Sequence, residues 1–419
     1  MTPKKKGILF ALETSFLLLI FSLGFMQPSV EARGLTLPFT DMLFILTFIL
    51  WGVALVRRVI DVQFDGIYIL FALYALGMLL SVVFSQNLAV SITKYLGELY
   101  LIGLALMTVN LVRSLEMLKK VIFAWLIASA VAAGVGALAV AFFYLGYSNF
   151  ITDFALHHFG SLPPGNYPRI QGTFHYPSLF CNYLTVSLLM LFAARKLDWI
   201  GRALFAVLGT VIGIAVAFTV TPGISGVLLG IAIWVALLLR AQGRPTLSKL
   251  AMSGGTLAVT GLLVVSTITL ISDPTSPYRF NPHRPLIWQS AFQTFLEYPF
   301  FGKGVGLGVA EVIFYPPSGG AQLLTDAHNT LLSVAAQAGL VAAIPLLLIC
   351  IAVVRQTLPL KFGDGATSIM RLCFGVAFVS AFLCQGIVGS FEDTRHLWVL
   401  IGLIIATNNL AGSGTSGGK

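Results

Sequence analysis

The chain has 419 residues, of which 57% are hydrophobic and 10% charged, against roughly 25% charged in an ordinary soluble domain. With a mean hydropathy of +0.92, this excludes a cytosolic enzyme, a disordered chain and a secreted disulfide scaffold. It leaves an all-α polytopic integral membrane protein, because helices of about 20 apolar residues satisfy their own backbone in lipid.

Continuous apolar runs predict about twelve transmembrane helices, at 8–26, 39–56, 66–84, 94–111, 121–147, 177–194, 203–221, 223–239, 250–271, 329–354, 369–390 and 396–411. Lys4-Lys5-Lys6 ahead of the first run has the look of a signal peptide. Val30-Glu31-Ala32 is a poor cleavage site, so the first span is expected to be retained. One transmembrane domain is expected over 1–411, with a flexible Gly/Ser-rich tail over 412–419. Cys181, Cys350, Cys373 and Cys384 lie in apolar runs without a CxxC spacing, which points to helix packing and to neither a metal nor a disulfide framework.

Charge orients the bundle. With both termini in the cytoplasm and twelve alternating spans, eighteen of the 25 Lys and Arg fall inside and seven outside, as the positive-inside rule requires. The net charge of +9 is thereby a topology signal, and no nucleic acid is expected as a partner. Two outer loops are long, at about 148–176 and 272–328, and long loops in a compact protein are usually functional or disordered. Within the second, His283–Glu297 spaces Leu286, Ile287, Ala291, Phe292 and Phe295 as a short amphipathic helix on the membrane surface.

The outer loops carry three residues suited to chemistry. Arg169 precedes a span in a segment stiffened by Pro163, Pro164 and Pro168; Arg284 opens the amphipathic helix beside Pro285, a residue suited to a first helical turn; His328 precedes the tenth span. Arginine grips phosphate through paired charge-assisted hydrogen bonds, and histidine takes a proton near neutral pH. Two Arg and a His at a lipid–water boundary suit a substrate with a diphosphate head and an isoprenoid tail.

Three blocks, PRIQGTF at 168–174, HRPLIWQSAFQTFLEYPFFGKGVG at 283–306 and DAHNTLLSVAAQAGLVAAIPLLL at 326–348, resemble the O-antigen ligase/polymerase superfamily. Arg284, Trp288, Pro299, Gly302, Gly304, His328, Asn329, Gly339 and Leu340 carry the likeness. It departs at His175-Tyr176-Pro177, where small or Asn-Pro-like residues are expected, and this brings His175 into consideration. The resemblance implies a GT-C-like, inverting glycosyltransferase of the bacterial inner membrane with its active face in the periplasm. Its donor would be an undecaprenyl-diphosphate-linked glycan and its acceptor a lipid A-core hydroxyl. In that scheme Arg169 and Arg284 hold the diphosphate and His328 is the general base. Alternatives are an O-antigen polymerase, with a second lipid-linked glycan as acceptor, and a lipid-linked sugar transporter. The few charges in mid-span count against the transporter.

Lys94, Arg279 and His396 are secondary candidates for substrate binding. No cofactor is expected. Outer carboxylates form no Asp-x-Asp pair, and the adjacent Glu392-Asp393 is weak as a hard-metal site, so no metal is expected. The glycines at 302–308 lack the spacing and context of a nucleotide loop and read as a flexible turn.

Overall fold

The structure is a computed structural model and describes residues 3–27, 29–32, 35–162, 165–272, 284–314, 322–358, 363 and 365–413. In chain order the elements are α1 (Pro3–Ser22), β1 (Ser29–Ala32), β2 (Leu35–Pro38), α2 (Phe39–Val56), α3 (Ile67–Val83), α4 (Leu88–Leu111), α5 (Leu115–Tyr144) and α6 (Phe150–Ala155). There follow β3 (Leu156–Leu162), β4 (Gly165–Ile170), α7 (Pro177–Lys196), α8 (Arg202–Thr219), α9 (Ile224–Ala241), α10 (Pro245–Ser272) and α11 (Arg284–Glu297). The remainder is β5 (Val312–Phe314), β6 (Gln322–Leu324), α12 (Thr330–Thr357), α13 (Ala366–Ala377) and α14 (Arg395–Ser413). Each expected span coincides with a helix, the eleventh with α13 and the turns that continue it. Among the described residues eight are long and apolar enough to cross a membrane by themselves, α13 counted with its continuation to Ile387, and α3 is an apolar helix just below that length. The protein is an all-α polytopic membrane protein.

The strands form three antiparallel hairpins, β1–β2, β3–β4 and β5–β6. All lie in loops that the charge bias assigns to the outer side. The described residues of the two long loops are therefore structured: the first holds α6 and the β3–β4 pair, the second α11 and the β5–β6 pair. Local sequence sets the helix starts. Asn87, Ser114 and Asn329 accept a backbone N–H of the first turn through their side chains, and Pro177 at the start of α7 follows an extended Tyr176. The core runs through α1, α3, α4, α5, α7, α12, α13 and α14, with Trp125, Trp398, Tyr74 and Tyr183 among the large side chains fully enclosed.

Two helices depart from the continuous spans expected. The α13 segment goes on as a π-helical turn, Phe378–Cys384, and a 3₁₀ turn, Gln385–Ile387. Helix α12 breaks at Gly339, where φ is 66° and ψ −172°. The break orphans two donors and two acceptors, and the turn after α11 satisfies all four. Leu340 and Val341 N–H donate to Pro299 and Phe300 carbonyls at 2.9 and 3.3 Å, while Ala336 and Gln337 carbonyls accept from Lys303 and Gly304 N–H at 3.0 Å each. Non-helical backbone at membrane depth persists where protein partners replace water. The approach demands glycine: a Cβ on Gly302 would sit 2.1 Å from the Gln337 carbonyl oxygen, and one on Gly339 2.1 Å from that of Phe300. The expected flexible turn at 302–308 is instead a fixed plug, with Gly302, Gly304 and Gly306 all at positive φ.

Candidate functional site

The segment from Gln385 to Phe391, which follows the π-helical turn, collects side chains from two parts of the chain. Arg284 Nη1 donates to the Val388 carbonyl at 2.5 Å. Asn329 Nδ2 donates to the Ile387 carbonyl at 3.3 Å and Thr330 Oγ1 to that of Gly389 at 3.1 Å. Ser390 Oγ donates to Asp326 Oδ1 at 2.7 Å. The first residue of α11 and the residues leading into α12 thus meet on one loop. This brings Arg284 and His328 into one neighbourhood, and the Asp326 charge acts on the Arg284 guanidinium.

His328 is held from two sides by one carboxylate. Its backbone N–H donates to Asp326 Oδ1 at 3.2 Å, and ring Nδ1 lies 3.0 Å from Oδ2. The Asp-x-His spacing makes a tight turn that puts His328 in the left-handed region, at φ 48°, a conformation uncommon outside glycine and often kept at functional sites. Burial disfavours the Asp326 anion. The hydrogen bonds and charge of His328, with the Ser390 hydroxyl, outweigh that and hold it ionised, with a pKa of about 2. A carboxylate on Nδ1 fixes the tautomer with the proton there and leaves Nε2 as acceptor. The His328 side chain is 38% exposed.

Arg169 lies at the end of β4, opposite His157 in the hairpin, and its Nε donates to the Thr219 carbonyl at the end of α8 at 3.0 Å. Burial lowers its pKa to about 10, with a small opposing effect from Cys181. Burial also lowers that of Arg284. Desolvated guanidinium groups bind an incoming anion more strongly than hydrated ones. Arg169 reaches the Gln385–Phe391 segment indirectly. The turn after Thr219 ends at Gly223, whose carbonyl accepts from Gln385 Nε2 at 2.6 Å.

The secondary candidates separate. Lys94 Nζ is 2.8 Å from Asp393 Oδ2 and 3.6 Å from Glu98 Oε1, and with Tyr100 and Arg395 it lines a cavity of about 660 Å³. His396 lies inside the bundle, 1% exposed, with Nε2 2.7 Å from Asn182 Oδ1; Asn182 in turn donates to Gln385 Oε1. It thereby braces the Gln385–Phe391 segment from within. Arg279 lies outside the described residues. His175 Nδ1 is bonded to Gln27 Nε2 at 2.7 Å. Arg395 grips Asp41 with Nε and Nη2, both at 2.9 Å, tying α14 to α2. Among the described residues no three His, Cys, Asp or Glu side chains are grouped to hold a metal ion.

Neither Asp326, one of the outer carboxylates, nor Ser390 is among the site residues expected from the sequence. The signal for Asp326 lay in the two-residue spacing to His328, which is that of a side chain capping its own turn. Ser390 carries no local signal, since only tertiary folding brings it to Asp326.

Residues 182–347 match the family model described as O-Antigen ligase. The match covers under half of the chain and supports a member of the O-antigen ligase/polymerase superfamily, glycosyltransferase-like enzymes of the membrane. It takes in Arg284, Asp326 and His328. No curated protein matches the chain.

Proposed function

We propose that this chain is an O-antigen ligase, moving a glycan en bloc from undecaprenyl diphosphate to a lipid A-core hydroxyl at the periplasmic face. The observation that carries the reading is the Asp326–His328 pair, anchored to the same loop that holds Arg284 and lying within the matched segment.

In the reaction, His328 Nε2 takes the proton of the acceptor hydroxyl. The hydroxyl oxygen then attacks the anomeric carbon of the donor from the side opposite the diphosphate. The bond from that carbon to the diphosphate oxygen breaks, and the configuration inverts. Asp326 holds the imidazole in the receiving tautomer and stabilises the imidazolium that forms, the role of the third member of a triad. Negative charge grows on the departing diphosphate, and Arg169 and Arg284 offset it. A diphosphate is already a good leaving group, so positioning is most of the task. Lys94, facing its own cavity beside Asp393 and Arg395, is proposed to hold substrate as well. No step calls for a metal.

The test is reconstitution of the purified protein with lipid-diphosphate-linked glycan and lipid A-core, products resolved by gel and mass. Glycan on lipid A-core is expected. Longer glycan still on the lipid carrier, with the core unmodified, would make the chain a polymerase. No covalent product would turn the reading toward transport of lipid-linked sugar.

A further inference from the structure

Helix α11 has three faces. Ile287 and Ala291 are buried, the latter packed with Val309, Ala327 and Ala336. Phe292 and Leu296 are about half exposed and suit the lipid boundary. The third stripe carries Gln289, Ser290, Gln293, Thr294 and Glu297, a spacing that places them one above another. They floor a groove of about 910 Å³ whose opposite wall includes Gln86, Tyr298, Lys303 and Glu311.

We propose that this groove is a subsite for an uncharged run of sugars, the part of the donor glycan beyond the reacting residue. The proposal rests on the reading above, that the donor is a diphosphate-linked glycan. Amides and hydroxyls both donate and accept, as sugar hydroxyls do. Lys303 is paired with Glu311 at 3.2 Å, and Glu297 accepts from Gln293 Nε2 at 3.3 Å. The groove therefore has more carboxylates than cations, which disfavours a second phosphate or a uronate. Tyr298 is 38% exposed, and Gln86 Nε2 holds its hydroxyl at 2.9 Å. A fixed ring of that kind offers an apolar face to the C–H face of a pyranose and a polar edge to its hydroxyls. The groove also points the right way. Arg284 opens α11, and the stripe from Gln289 to Glu297, at about 1.5 Å per residue, gives a floor about 12 Å long beyond it. A glycan whose anomeric diphosphate sits at Arg284 would run along this floor toward Tyr298.

The experiment uses the full chain in lipid nanodiscs and two donors on the same lipid diphosphate, one bearing a single sugar and one several repeat units. Gln289 and Gln293 are exposed, so the double variant Gln289→Ala/Gln293→Ala should keep the fold, which an unchanged thermal midpoint checks. Loss of two sugar hydrogen bonds predicts a KM for the long donor raised about 10-fold. The kcat, and the KM for the single-sugar donor, should stay unchanged. An equal rise for both donors, or none for either, overturns the subsite. A binding measurement separates this failure from failure of the ligase reading. The same long glycan, freed of lipid and diphosphate, is tested by saturation-transfer NMR. Binding to the wild type that the variant loses supports the subsite even if no transfer occurs. Absence of binding to the wild type, or equal binding to both, overturns it.

Discussion

The Asp326 carboxylate makes three hydrogen bonds, two of them to His328, and this concentrates the chemistry of the site in one side chain. Replacing His328 by Ala removes the base and should lower kcat by about 10²- to 10⁴-fold, with donor binding kept. Asp326→Asn leaves the shape but withdraws the charge that stabilises the imidazolium. It should cost kcat about 100-fold or more and leave the donor KM near the wild-type value. Steady-state kinetics of the two variants check both, and full activity in either would remove the pair from the mechanism. Glu392 gives a prediction about pH. The residue is 5% exposed, and burial, reinforced by Asp393, raises its pKa from 4.5 to about 8 against the pull of Lys94. The folded state thus holds this proton more tightly than the unfolded one, so stability falls as pH rises from about 4.5 to about 8. In Glu392→Gln that slope should flatten, read as thermal midpoints at pH 5, 6.5 and 8. Parallel curves for variant and wild type would show that Glu392 does not titrate there. Arg169, Arg284 and His328 stand out as candidates in the sequence because each lies beside rigid or helix-starting neighbours in an expected outer loop. Burial of His396 was not, since its place at the start of a span looks the same whether it faces a substrate or Asn182.

The break in α12 is the element on which the geometry depends. Apolar content alone predicts an unbroken span, because hydropathy registers composition and not backbone direction. The clue was Gly339, together with Pro299, Gly302 and Gly304 about 35 residues earlier, yet their relation is a reciprocal exchange of hydrogen bonds that no single segment reveals. The exchange fixes α11 against α12 and hence Arg284 against the approach to α12. Gly339→Ala forces a Cβ to within 2.1 Å of a carbonyl oxygen at positive φ. Strain and overpacking together should cost about 3 kcal/mol or more, seen as a drop in thermal midpoint with loss of transfer. Gly254→Ala in α10 is the control. Its Cβ would meet nothing within 4 Å, and alanine is the better helix former, so its midpoint should hold or rise. Equal behaviour of the two variants would deny the plug its structural role.

At the scale of the molecule, the polytopic helical character was legible because lipid admits so few backbone solutions; of the twelve spans expected, eight are long and apolar enough among the described residues to cross a membrane by themselves. The content of the long loops was less so, since hairpins and a six-residue helix such as α6 leave only short patterns. The sidedness of the bundle is an expectation from charge. If the twelve expected spans alternate, the Lys and Arg clusters at 4–6, 57–58, 113–120, 195–202 and 240–249 fall on one side, and α11 and the hairpins on the other. A ligase of this kind requires the latter side to be periplasmic, because both its lipid-linked donor and its lipid A-core acceptor are expected there. Impermeant maleimide tests this in intact cells. Three of the four native cysteines, Cys181, Cys350 and Cys373, are buried, so background labelling should be low. Gln293→Cys, on the exposed stripe of α11, should label without lysis. Gln242→Cys, exposed between α9 and α10, should label only after lysis. The reverse pattern would put Arg284 and His328 in the cytoplasm, where neither substrate is presented, and would remove the ligase reading along with the orientation.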